Sequence, residues 1–135
     1  MLGPDNIEYV VAHLEERVNP AFVILFGSYA KGTAHTDSDL DIAYYCEKLL
    51  SGYDRMMLAN ELAAIAGCDV DLVNLRDANT VLAFQIFSTG IKISCRDTDE
   101  FIKQRVLAYK MYAVLNEQRA GILEAIKQRG SVYGE

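Results

Sequence analysis

Long apolar runs are missing from this 135-residue chain. No stretch approaches the ~20 consecutive apolar residues needed to cross a bilayer as a helix, so no membrane association is expected. An excess of basic residues is missing too. Thirteen Lys and Arg stand against nineteen Asp and Glu, giving a formal net charge of −6 and a pI near 4.9. Nucleic-acid binding draws on a basic patch that displaces counterions, and this balance argues against it. Cysteine is scarce: Cys46, Cys68 and Cys95 are odd in number and form no CxxC pair. His13 and His35 fit no ligand motif either, so a zinc site is not expected. Each cysteine lies in or beside an apolar run, which reads as buried free thiols in a reducing cytosol. Met1 to Asp5 has neither the basic n-region nor the apolar h-region of a secretory signal. The expected location is the cytoplasm.

What is there is an ordinary globular composition, 51% hydrophobic and 24% charged, in a length suited to one domain with a two-layer core. Ile7, Val10, Val11, Leu14 and Val18 recur at helical spacing over residues 5–18. Asp5 is the expected N-cap, and Asn19-Pro20 ends the helix. Residues 21–26 are continuously apolar, as in a strand buried on both faces. A turn or short helix follows over 27–33. Residues 39–45 then alternate Asp39, Asp41 and Ala43 against Leu40, Ile42 and Tyr44, which is strand period.

Helical spacing returns over 53–66 and stops at Gly67. Residues 69–75 alternate again, 79–88 read as a helix, and 91–95 as a short strand. From Thr98 to about Gln128 the pattern is one long helix without proline, or two joined near Gly121. The order predicts an α+β fold with a mixed sheet flanked by helices. Residues 1–96 form its core and 97–135 a helical extension. That extension carries two apolar stripes, one through Ile102, Val106, Tyr109, Ala113 and Leu123. The other runs through Phe101, Ala108, Tyr112, Leu115, Ile122 and Ile126. One stripe would dock the helix on its own domain. The second fits a partner protein, a second copy of the chain, or a helix wedged deep in its own core.

The chemistry concentrates in one stretch. Gly27 and Ser28 end the first strand, ten residues intervene, and Asp39-Leu40-Asp41 begins the second. Two residues apart on a strand, Asp39 and Asp41 share a face with their backbones roughly 6–7 Å apart. Such a pair can hold hard cations together with phosphate oxygens, the coordination that magnesium favours. Two metals so placed would activate an attacking hydroxyl and stabilise departing pyrophosphate. Asp69 and Asp71 repeat the spacing on the next strand, and Asp71 is the better candidate for a third ligand or general base. Gly27 lets the backbone approach a phosphate without a Cβ in the way. The following amides and the Ser28 hydroxyl can cradle its oxygens, and Lys31 can add charge. His35 and Tyr29 are candidates for phosphate and base contact, although a solvated loop and simple packing explain them as well. Tyr44 and Tyr45 read as strand-end packing. Glu15 to Arg17 and Arg96-Asp97 read as solvated faces and helix ends. The residues alone reach as far as metal-dependent transfer from a nucleotide.

Gly27-Ser28, ten residues and Asp39-Leu40-Asp41 resemble the signature of the polymerase-β-like nucleotidyltransferase superfamily, over roughly residues 21–95. The chain's compactness is similar to the minimal nucleotidyltransferase branch. The resemblance implies that Asp39, Asp41 and Asp71 hold magnesium. The arginine usual after the family's small residue is Lys31 here, which keeps the charge but loses the bidentate fork. Asp69 to Arg76, Ala78 to Val81 and the long C-terminal helix further resemble antitoxins of HEPN/MNT toxin–antitoxin modules. That likeness implies AMP transfer from ATP to a tyrosine of a HEPN ribonuclease toxin, which silences it. Two other readings fit the same motif. One is transfer to a small-molecule hydroxyl, as in aminoglycoside-modifying relatives; the other is a non-catalytic, nucleotide-sensing or steric antitoxin.

Overall fold

A computed structural model describes residues 3–35 and 37–132. Helix α1 (Pro4–Val18) leads into strand β1 (Phe22–Phe26) and the short helix α2 (Ser28–Lys31). Strand β2 (Leu40–Tyr45), helix α3 (Gly52–Ala66) and strand β3 (Val70–Asn74) follow. Helix α4 (Thr80–Thr89), strand β4 (Ile91–Cys95) and helix α5 (Thr98–Val132) complete the chain. Proline at the first helical position starts α1 after Gly3, so Gly3 is its N-cap and Asp5 lies in its first turn. Asn19 closes α1 in the left-handed conformation. Ser51 and Asn79 cap α3 and α4 by accepting from the amides of Asp54 and Leu82.

The four strands lie in the order β3-β2-β1-β4. β1 is antiparallel to both neighbours, whereas β2 and β3 run parallel. Side-chain alternation divides the core into two layers. Val23, Leu25, Leu40, Ile42, Tyr44 and Leu72 meet Val10 and Leu14 of α1 and Leu58 and Leu62 of α3. On the opposite face, Phe22, Ile24, Ala43, Tyr45 and Leu75 meet Ile86 of α4. Phe101 of α5 packs edge-on to Phe22 at 5.0 Å. A sheet covered on both faces explains why β1 has no polar position to betray its period.

Helix α5 is continuous through Gly121. Its inner residues Phe101, Ala108, Tyr112 and Leu115 are at least partly covered, with Tyr112 stacked on Phe84 at 3.9 Å. Residues 116–129 are all exposed, including Ile122, Leu123 and Ile126. The helix is therefore not wedged into its own core: its first half docks and its second half projects. One further expectation needs correction. The cysteines are free but only half-buried. Arg96 donates to the carbonyls of Pro20 and Asn19, and Asp97 accepts from the Glu100 amide at the start of α5. Arg17 pairs with Glu61 at 3.2 Å. These charges are exposed and lie at helix ends, as expected, and they also tie elements together.

Asn74, 3% exposed, is the buried polar side chain on which the end of the parallel pair depends. Its Nδ2 donates to the Cys46 carbonyl at 3.1 Å, and its Oδ1 accepts from the amides of Cys46 and Arg76. Asn74→Ala would leave three partly buried backbone groups, two of Cys46 and one of Arg76, without this partner. The expected loss is about 3 kcal/mol, a fall in Tm of roughly 10 °C by thermal melting. A loss under about 1 kcal/mol would show that water replaces the amide at this site.

Candidate active site

The site begins where β1 stops. Gly27 takes φ 72° and ψ −152°, a region that only glycine enters without strain. The chain then turns through α2 and leaves by Gly32 at φ 73°. No side chain caps the start of α2, so its first amides are free of capping partners, as phosphate-cradling donors need to be. Ser28 is half-buried there, while Lys31 is exposed at the far end of α2. Tyr29 packs partly against the α1/α3 core. His35 is exposed, and its Nδ1 accepts from the Asp37 amide, which ties it into its own loop.

Asp41 lies opposite Phe26 in the β1–β2 register. Its carboxylate therefore sits against Gly27. A Cβ built on Gly27 would collide with Asp41 Oδ2 and fall 2.9 Å from its Cγ. Glycine is required twice over, by dihedral angle and by the carboxylate that occupies the space. In the parallel β2–β3 register Asp71 is the direct partner of Asp41, and Asp39 stands just before β2 on the same alternation. Asp39 and Asp71 are exposed and Asp41 is half-buried.

Burial raises the Asp41 carboxyl above its ordinary 3.8, and repulsion from Asp71 and then Asp39 raises it further. Asp69, the alternative third carboxylate, does not act on Asp41 in this way. Its backbone carbonyl accepts from the Leu40 amide at 2.8 Å, and its charge instead helps raise the Cys68 thiol, behind burial and Asp39.

Three carboxylates that repel one another at the end of two strands fit a cation. Among the described residues they do not close into a preformed cage. That combination suits magnesium, which takes one or two carboxylates and completes its shell with water and nucleotide phosphates. Asp39, Asp41 and Asp71 are the residues that would hold it.

A groove of about 620 Å³ opens beside Asp71, between α3 and the start of α4. Arg55, Met56 and Ala59 form one wall and Asn79 and Leu82 the other, with Val70 to Val73 as the floor. A second cavity of about 420 Å³ lies by Tyr45, Arg76, Phe87 and Lys103. It sits toward the opposite end of β2 from Asp41 and holds none of the three carboxylates. Sequence patterning brought forward Gly27, Ser28, Asp39, Asp41 and Asp71, and all five meet at one end of the sheet. It gave no sign of Arg55 or Asn79 beside them. The cap position of Asn79, ahead of an apolar helix, was the one available signal.

A family model described as polymerase beta, nucleotidyltransferase matches residues 8–99. Protein adenylyltransferase MntA of Shewanella oneidensis is 37% identical over 105 residues, 77% of this chain and 74% of that protein. A chain in a crystal structure of a toxin–antitoxin pair with AMP-PNP is similar with a TM-score of 0.76 and 35% identity. The match covers 88% of this chain and 97% of that one. A chain in a structure of tri-AMPylated Shewanella oneidensis HEPN toxin with MNT antitoxin gives a TM-score of 0.74 at 30% identity. There the coverage is 90% and 95%.

Proposed function

This chain belongs to the polymerase β nucleotidyltransferase family, within its protein adenylyltransferase MntA branch, and from that premise we propose that it is an antitoxin that transfers AMP from ATP to a tyrosine of a HEPN-type toxin. The observation that carries the reading is Asp41, held against Gly27 and crowded by Asp71 and Asp39. A site of this kind lowers its own energy by taking up cations and phosphate together.

In the proposed reaction the tyrosine oxygen attacks the α-phosphorus of ATP in line. A phosphorus–oxygen bond forms to the tyrosine, the bond to pyrophosphate breaks, and the phenolic proton passes to Asp71 or to water that Asp71 orients. Asp39 and Asp41 hold the nucleotide end of the site. Gly27 and Ser28 present amides and a hydroxyl to the departing phosphates, and Lys31 adds positive charge at the rim. Magnesium, when bound, would supply the neutralising charge that lets an anionic phosphate approach three carboxylates. The projecting half of α5, within the extension 97–135, is free to meet the toxin. No helix among the described residues is long and apolar enough to cross a membrane, and we place the antitoxin in the cytoplasm.

Intact-mass measurement of the HEPN-type protein encoded beside this chain, after incubation with the chain, ATP and magnesium, tests the reading. One or more AMP units on a tyrosine are expected. A stable complex without mass gain would point to steric neutralisation. Neither gain nor complex would point to a small-molecule acceptor.

A further inference from the structure

Four charges repeat at heptad spacing along α5: Lys103, Lys110, Glu117 and Glu124. A helix turns about 100° per residue, and seven residues come within about 20° of two full turns, so the four form one row. All four are exposed. The ion pairs among the described residues, His13 and Arg17 with Glu61, use none of them. The row changes sign midway, between Ala113 and Val114. It lies roughly 170° around the helix from Ala108 and Tyr112, which face the rest of the domain. This is the side that the chain's own core leaves open. Size follows the same division as charge. Val106 and Leu107 flank the row in its first half, Ala120 and Gly121 in its second. Counted outward from the midpoint, Lys103 corresponds to Glu124, Val106 to Gly121, Leu107 to Ala120 and Lys110 to Glu117. Each cation matches an anion, and each larger side chain a smaller one. Gly121 sits inside a continuous helix, where glycine costs about 1 kcal/mol relative to alanine. A Cβ there would meet no neighbouring atom within 4 Å. Nothing within this chain calls for its bare backbone; the close approach of another helix does.

We propose that α5 pairs antiparallel with α5 of a second copy of this chain, about a two-fold axis passing between Ala113 and Val114. Such pairing is isologous, the same face serving both partners. It sets Lys103 opposite Glu124 and Lys110 opposite Glu117, each twice by symmetry, and seats Val106 and Leu107 over Gly121 and Ala120. A parallel arrangement would set Lys on Lys and Glu on Glu. The charges therefore fix the direction of pairing, as flanking charges do in coiled coils. The overlap, Thr98 to Arg129, is about 45 Å long. Each domain packs on the far side of its own α5, so the two cores stay apart. Lys103 also borders the cavity of about 420 Å³, whose lining includes Arg76 and no carboxylate. Glu124 of the second copy brings a carboxylate to that rim. Ile122 and Ile126 turn away from the pairing face, which leaves them to the toxin.

Sedimentation equilibrium of the full chain tests the pairing, and a concentration-dependent dimer is expected. One double variant, Lys103→Glu with Lys110→Glu, makes the row wholly acidic; another, Glu117→Lys with Glu124→Lys, makes it wholly basic. Each should raise the dimer dissociation constant at least about a hundredfold, since four attractive pairs become four repulsive ones. An equimolar mixture of the two should dimerise again, because an acidic row then meets a basic one. Gly121→Leu should block the approach by size while leaving the melting temperature of the monomer no lower. A dimer that Gly121→Leu does not weaken would overturn this register. A wild-type chain still monomeric at about 1 mM, or a mixture that fails to re-form the dimer, would overturn the proposal. Loss of the HEPN-type partner from the double variants, with no dimer in the wild type, would give the face to the toxin and overturn it as well.

Discussion

Replacing Asp41 by asparagine is expected to abolish AMP transfer while making the free protein more stable. The activity loss should reach about a thousandfold or more, the scale at which removal of a central charge-stabilising group acts. The stability gain follows from the direction of the Asp41 shift. Its folded pKa lies above the ordinary 3.8 through burial and the charges of Asp71 and Asp39. The folded state then holds the proton more tightly than the unfolded chain does. Stability is highest below pH 3.8 as far as this group is concerned, and declines as pH rises through the elevated folded pKa. At neutral pH the carboxylate is ionised and the whole penalty is present. The neutral amide of the variant carries none of it. Because the side chain is only half-buried, screening keeps the effect below about 1 kcal/mol, a rise in Tm of about 2 °C. Magnesium with a non-hydrolysable ATP analogue should raise the Tm of the wild type and leave that of Asp41→Asn nearly unchanged. A variant that retains a tenth of wild-type transfer would remove Asp41 from the mechanism.

Gly27→Ala is expected to cost both stability and activity. At φ 72° and ψ −152° an alanine costs on the order of 1–3 kcal/mol in backbone strain alone. The new Cβ must also displace the Asp41 carboxylate, whose Oδ2 occupies its position. Moving Asp41 disorders the placement of nucleotide relative to acceptor, where an error of about 1 Å costs on the order of a hundredfold in rate. Transfer should therefore fall at least about a hundredfold, with Tm lower by about 6–10 °C. Gly67→Ala separates the two causes. Gly67 has a similar φ of 76°, but open space surrounds its missing Cβ. It should lose roughly 1 kcal/mol and keep full activity. Equal activity losses in the two variants would show that strain, not Asp41, explains Gly27.

The helices and strands were legible because their apolar periods are strong and their stops, Asn19-Pro20, Gly67 and Gly90, fall where the periods end. The site was legible for a different reason: Gly27, Ser28, Asp39 and Asp41 lie on one continuous loop and its flanking strands. The preference for Asp71 over Asp69 was read from the sequence, and the register of β2 against β3, a non-local fact that spacing within either strand does not contain, adds that Asp71 is the direct partner of Asp41. The central place of β1, paired to β4 far along the chain, was hidden for the same reason. Arg96 and Asp97 are exposed at a helix end, as their sequence suggests, but their bonds to Pro20, Asn19 and Glu100 are contacts that sequence does not show. The second stripe of α5 left its cover open, since apolar periodicity marks a face that wants cover without saying whether this chain provides it.

The parallel run of β2 and β3 bears on how such an enzyme can change over evolutionary time. Two hairpin strands share a tight turn, so an inserted residue in that turn slides one carboxylate past the other. Here the two carboxylate-bearing strands start at the same end of the sheet and are joined by a crossover through α3. Their alignment is set by the ladder itself and by Asn74 at its far end. Insertions and deletions in the crossover can lengthen or shorten α3, reshaping the groove wall, without altering the spacing of Asp41 and Asp71. Acceptor choice can therefore drift while the nucleotide chemistry stays fixed.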